Sequence, residues 1–137
     1  PPQTERAVRG AVYAPAHSAI RFGGGRSQVE LAATLSLHNT SRERALIVER
    51  VDYFDTDGKL VQSFVQKPGL LGPLATLEVF VPADDLRGGT GANFLVEWSA
   101  AGPIAAPAVE TVMIGSVGTT SYSFVSVGRP IEPAARK

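Results

Sequence analysis

Glycine and proline interrupt this chain too often for long helices. Fourteen Gly and ten Pro are spread over 137 residues. Runs rich in β-branched and aromatic residues lie between these breaks, and helical periodicity is weak throughout. Short apolar runs bounded by turn residues read as strands. The cleanest is 29–39. Val29, Leu31, Ala33, Leu35 and Leu37 point one way, while Glu30, Thr34, Ser36 and His38 point the other. That alternation predicts an antiparallel strand with one face in the core.

The rest of the chain follows the same grammar. A strand over 46–54 runs into Asp55-Thr56-Asp57-Gly58-Lys59, where Asp-Gly is a strong hairpin signal. Residues 60–65 return as its partner. Residues 74–81 alternate again, with Leu77, Val79 and Val81 inward, until Pro82 ends the strand. Residues 93–99 put Phe94, Val96 and Trp98 on one face. Further strands are expected at 109–114 and 122–127, and shorter ones at 11–14 and 20–22. The spacing predicts an all-β fold: an immunoglobulin-like antiparallel β-sandwich of about seven to nine strands in a single domain. Residues 1–9 are expected as a flexible N-terminal segment, 10–131 as the sandwich, and 132–137 as a flexible tail.

A second feature sharpens this picture. From Gly88 to Gly128 the only charged residues are Glu97 and Glu110. A stretch so poor in charge is heavily buried or faces something apolar. It opens with Gly88-Gly89-Thr90-Gly91-Ala92-Asn93-Phe94, a flexible glycine-rich loop that leads into the strand of the single Trp.

Composition excludes several functions. Thirteen basic residues balance thirteen acidic ones, a poor basis for binding duplex nucleic acid. No polybasic tract marks an anionic-membrane patch. Cys is absent, which removes disulfides, thiolate catalysis and Cys-ligated zinc together. No apolar run approaches the roughly 20 residues of a transmembrane helix. The chain begins Pro1-Pro2-Gln3-Thr4 without Met, and is expected to be a processed or trimmed product.

Several of these segments together resemble a known family. They are Leu31-Ala32-Ala33-Thr34-Leu35-Ser36, Asn39-Thr40, Tyr53-Phe54-Asp55-Thr56-Asp57-Gly58-Lys59-Leu60, the run from Gly88 to Trp98, and Val109-Glu110-Thr111-Val112-Met113-Ile114-Gly115. The chain resembles, from about Val12 to Ile131, the bacterial family called domain of unknown function 3124. Its most specific part is Gly-Gly-x-Gly-Ala-Asn-Phe. The resemblance implies small bacterial proteins often made with an export or lipoprotein signal, hence a periplasmic or envelope-associated location. It implies no activity, substrate or catalytic residue. Membrane anchoring of a precursor stays open.

The residues offer few constellations for chemistry. Asp55-x-Asp57-Gly58 has the look of the start of a calcium loop, but the twelfth position holds Gln66 where such a loop needs Glu. The plainer reading is a hairpin whose Asp side chains cap their own backbone. Asp84-Asp85, before Arg87 and Gly88, form a second acidic loop or the cap of a short helical turn. The Gly88-Gly89-x-Gly91 run is no phosphate loop, because a strand rather than a helix follows and no Lys-Ser/Thr pair is present.

Glu97 and Glu110 are sharper. Were their strands a hairpin joined by Gly102 to Pro107, one register would set the carboxylates opposite each other. They would then shift each other's pKa, bind a cation, recruit an Arg such as Arg50, or form an acid/base pair. The other register separates them. Asn93, Glu97 and Glu110, with Asp84 and Asp85, are the candidate binding residues; Asp55 and Asp57 are the candidate metal ligands. His17 and His38 do not make a metal site. Thr119 to Ser123 supply hydroxyls but no neighbouring base.

No catalytic residue and no cofactor are expected. The expectation is a non-catalytic exported envelope protein acting as a binding or interaction module for a protein partner or a second copy of itself, joined through its last strands. The alternative is a small-ligand or divalent-cation-binding protein using the acidic residues of the C-terminal half.

Overall fold

The computed structural model describes residues 8–22, 24–25 and 27–134. These form twelve strands: β1 (Val8–Ala16), β2 (Ala19–Phe22), β3 (Ser27–Glu30), β4 (Ala32–His38), β5 (Leu46–Phe54), β6 (Leu60–Ser63), β7 (Gly69–Leu71), β8 (Thr76–Val81), β9 (Ala92–Ala100), β10 (Ala108–Val117), β11 (Thr120–Val127) and β12 (Arg129–Ile131). One 3-10 turn, Gly89–Gly91, precedes β9. The short strands β7 and β12, and the division of the expected 29–39 strand into β3 and β4, carry the count beyond the seven to nine strands expected. The expected sandwich boundary at residue 10 falls inside β1. The rest of the expected flexible N-terminal segment, 1–7, and the tail residues 135–137 lie outside the described residues.

Every pairing is antiparallel, and two main sheets face each other. The six-stranded sheet runs β12-β1-β9-β5-β6, with β7 also on β5; the four-stranded sheet runs β11-β10-β4-β8. A small β2-β3 hairpin stands beside them. The extended segment predicted at 29–39 is continuous but changes partners at Leu31, whose amide donates to Ser18 O at 2.8 Å. Its inward set is as expected: Val29, Leu31, Ala33, Leu35 and Leu37 are all buried.

The core forms where these inner faces meet. Val12, Ala14, Val51, Tyr53, Phe94, Val96 and Trp98 of the six-stranded sheet pack with Leu35, Leu37, Val109 and Met113 of the four-stranded one. Gly10 lies opposite Trp98 across β1 and β9, and a Cβ there would enter the indole. The glycine thus makes room for the largest side chain of the core. Thr111 also points inward, and its hydroxyl is buried without a hydrogen-bond partner.

One topological expectation fails. The strands of Glu97 and Glu110 are not a hairpin. The connection after β9 crosses from one sheet to the other, so β9 pairs with β1 and β5 while β10 pairs with β4 and β11. The uncharged residues of this segment are divided between the two sheets.

Candidate functional site

The glycine run and the Asp-Gly hairpin, far apart in sequence, are fitted to each other. Thr56, in the hairpin loop, takes Gly88 O on both its amide (3.0 Å) and its hydroxyl (2.9 Å). The same hydroxyl accepts from the Gly91 amide at 3.0 Å. Ser18 N donates to Gly89 O at 2.9 Å. Beneath lies Tyr53, fully buried, its hydroxyl 2.7 Å from Ser18 Oγ and its ring tilted 38° against Phe94 with centroids 4.7 Å apart. A Cβ on Gly88 would overlap both hydroxyls. Gly89 has φ 75°, a conformation that costs a side chain energy. The run expected as a flexible loop is therefore a tethered latch over Tyr53, and its glycines serve close packing.

The carboxylates fall into separate local roles. Asp55 Oδ1 accepts the amides of Asp57 and Lys59, both at 2.9 Å, and Gly58 turns the hairpin with φ 83°. Asp55 is thereby occupied as a turn cap, and Asp57 is exposed on the turn. Among the described residues no group of three His, Cys, Asp or Glu is placed to hold a metal ion. Asp85 is held by Arg87, at 2.8 Å from Nε and 2.7 Å from Nη2. That hydrogen bond keeps its carboxyl below the usual carboxylate range. Arg87 also reaches Gln62 at 3.1 Å, which ties this loop to β6. Asp84 beside it is exposed.

Glu97 and Glu110 lie on opposite sides of the molecule, which corrects the idea of a facing pair. Residues paired across a ladder share a face. Glu97 is paired with Ala11 and Arg50 on the outer face of the six-stranded sheet, with Asn93 two places along on the same face. Arg50 is directly opposite Glu97, yet its guanidinium binds Asp52, with Nη2 2.9 Å from Oδ2. Glu110 is paired with Ser36 and Val127 on the outer face of the four-stranded sheet, with His38 Nε2 3.9 Å away. Asn93, Glu97, Glu110 and the Asp84-Asp85 loop are not one site.

The outer face of the four-stranded sheet is the surface that stands out. Register places Val125, Val112, Thr34 and Phe80 in one row across β11, β10, β4 and β8. Ile114 and Val127 flank that row on the same face. Phe80 is 57% exposed, Ile114 55%, Val125 53% and Val127 74%. Glu78, Ser36 and Glu110 line the next row, with His38 and Thr76 beyond. His38 and Thr76 hydrogen-bond at 2.9 Å. An apolar field thus meets a polar, acidic border. Phe80 was not among the expected site residues. Its signal was in the alternation itself, since placing Val79 and Val81 inward turns Phe80 to solvent.

The fold has a counterpart among solved structures. The chain is similar to the crystal structure of Thermotoga maritima 1070, with a TM-score of 0.56, 13% sequence identity, and coverage of 93% of this chain and 97% of that one. At that identity the likeness is one of fold. No curated protein matches the sequence. A family model described as a protein of unknown function, DUF3124, matches residues 9–131. That span contains both halves of the latch and all four strands of the apolar face, and the chain belongs to the DUF3124 family.

Proposed function

We propose that this chain is a non-catalytic interaction module of the bacterial envelope, binding a protein partner through the outer face of β8-β4-β10-β11. One observation carries the reading: Phe80, Val112, Ile114, Val125 and Val127 share a solvent-facing side of one sheet. Contiguous exposed apolar surface with a polar rim is the mark of an interaction site, whereas single exposed apolar residues are not. Glu78 and Glu110 on the border suit a partner whose own apolar patch is edged by basic groups. The immunoglobulin-like character expected from the sequence suits such a module. The envelope location rests on what the family resemblance implies.

Two facts support this reading over the alternatives. Glu97 and Glu110 stand on opposite faces, so neither an acid/base pair nor a shared cation site is built from them. Asp55 spends its acceptor on the hairpin. The test is site-specific photocrosslinking in envelope extracts, with the probe at Thr34 or Val112 and, as control, at Leu95 on the opposite face. Adducts are expected from Thr34 and Val112, and their loss in a Phe80→Ser, Val125→Ser double variant that melts like the parent. Adducts confined to Leu95, or unchanged in the double variant, would overturn the reading.

A further inference from the structure

The edges of the two main sheets are not alike. β12 has three residues, including Arg129 and Pro130. β6 and β7 are four and three residues long. β8 carries Glu78 and is closed by Pro82. Short length, charge and proline are the ordinary means by which proteins blunt a sheet edge. β11 has none of them. It is eight residues long, Thr-Ser-Tyr-Ser-Phe-Val-Ser-Val, without charge or proline, and among the described residues its only ladder partner is β10.

The direction of its free backbone groups follows from the register. Gly128 N donates to Val109 O at 2.8 Å, which makes that pair a hydrogen-bonded one. Antiparallel pairs alternate between bonded and non-bonded. Ser126, Phe124, Tyr122 and Thr120 therefore turn their amides and carbonyls toward β10. Ser121, Ser123, Val125 and Val127 turn theirs toward the open edge. The Val117–Thr120 pair flanks a two-residue turn with Gly118 at φ 59°, where a hydrogen-bonded pair closes the hairpin.

We infer that β11 pairs antiparallel with β11 of a second copy, about a two-fold axis near Phe124, to give one continuous eight-stranded sheet. In that register Ser121 meets the partner's Val127 and Ser123 meets the partner's Val125, so all the outward backbone groups are used. Self-pairing suits this strand because a two-fold interface sets identical sequence against itself. An uncharged strand meets no like charge there, whereas β8 would bring Glu78 toward its own copy. The inference rests on the proposal that this sheet is the binding side of the module, and deepens it. Pairing at β11 joins two apolar faces into one platform with Phe80 at each far edge.

Native hydrogen exchange with sedimentation across micromolar concentrations tests it. The Ser123 and Val125 amides are expected to exchange freely in the monomer and slow by at least about tenfold as the mass doubles. Ser123→Pro deletes an outward amide without touching a β10 bond, and is expected to weaken dimerisation by at least about tenfold. If that variant does not fold, exchange in the parent protein decides. Three results would overturn the inference: a monomer at every concentration, a dimer whose Ser123 and Val125 amides exchange at the monomer rate, or a folded Ser123→Pro protein that dimerises as before. Phe80→Ser separates the two proposals. It is expected to lose partner crosslinks and keep the dimer; dissociation of the dimer by this change alone would place the contact on the face and sink the edge pairing.

Discussion

Tyr53 is the residue around which the specific parts of the sequence gather. Ser18 touches it from one stretch of chain, Gly88 and Phe94 from another. A methyl group at Gly88 has nowhere to go, because the hydroxyls it would meet are themselves hydrogen-bonded and buried. Gly88→Ala is expected to cost about 2–4 kcal/mol in denaturant unfolding. An unchanged midpoint would show that the latch can shift aside. The phenol also has a consequence for pH. Burial raises its pKa above the ordinary value, more than the Ser18 hydrogen bond lowers it. The unfolded chain therefore releases this proton first. Stability is unaffected below the ordinary tyrosine pKa of about 10 and falls as pH rises through the higher folded value. Unfolding of Tyr53→Phe, followed between neutral and alkaline pH, is expected to lack part of that decline. If both proteins lose stability in parallel, Tyr53 is not its source.

At the scale of elements, sequence pattern served well wherever one strand face is wet. The inward set of β4, the Asp-Gly turn after β5 and the inward aromatics of β9 all follow from alternation and turn chemistry. Partner choice did not follow. A Gly-Pro connection after β9 looks the same whether it turns within a sheet or crosses to the facing one, so the Glu97 and Glu110 strands were open to a false hairpin. The latch was hidden for a related reason. Gly88 and Thr56 meet only once β5 and β9 are paired, and nothing near Gly88 in sequence announces Tyr53. The apolar outer face was half legible, as a segment almost without charge. Asn39 shows how such pairings are stapled. From the end of β4 its side-chain amide donates to Arg44 O at 2.9 Å and to Leu71 O at 3.0 Å, and its carbonyl accepts from Ser41 N at 3.0 Å. Asn39→Ala takes the buried Leu71 carbonyl's side-chain donor away and opens the two part-buried bonds beside it. It is expected to cost about 2–3 kcal/mol and to speed exchange of the Leu71 segment before the rest of the sheet opens. Uniform exchange would argue that β7 is held by other means.

For the molecule as a whole, the two sheets differ: the six-stranded one joins the first and last of the described strands, and the four-stranded one carries the apolar outer face. β1 is the first of the described strands, yet its neighbours are β9 and β12. The residue partners of Val8–Ala16 thus begin at Ala92 and end at Ile131. Pairings of such long sequence separation must bear the entropy of closing a large loop before any contact rewards it, and all-β chains of this kind fold in about milliseconds to seconds. Synthesis at roughly 10 residues per second leaves β1 waiting about 8 seconds for β9 to follow it from the ribosome. The nascent chain cannot complete its first sheet while it is still short. A sheet whose early strand waits for partners made so much later keeps this stretch of polypeptide open until β9 and β12 exist, which is the condition in which a chain can still be threaded, held or handed on.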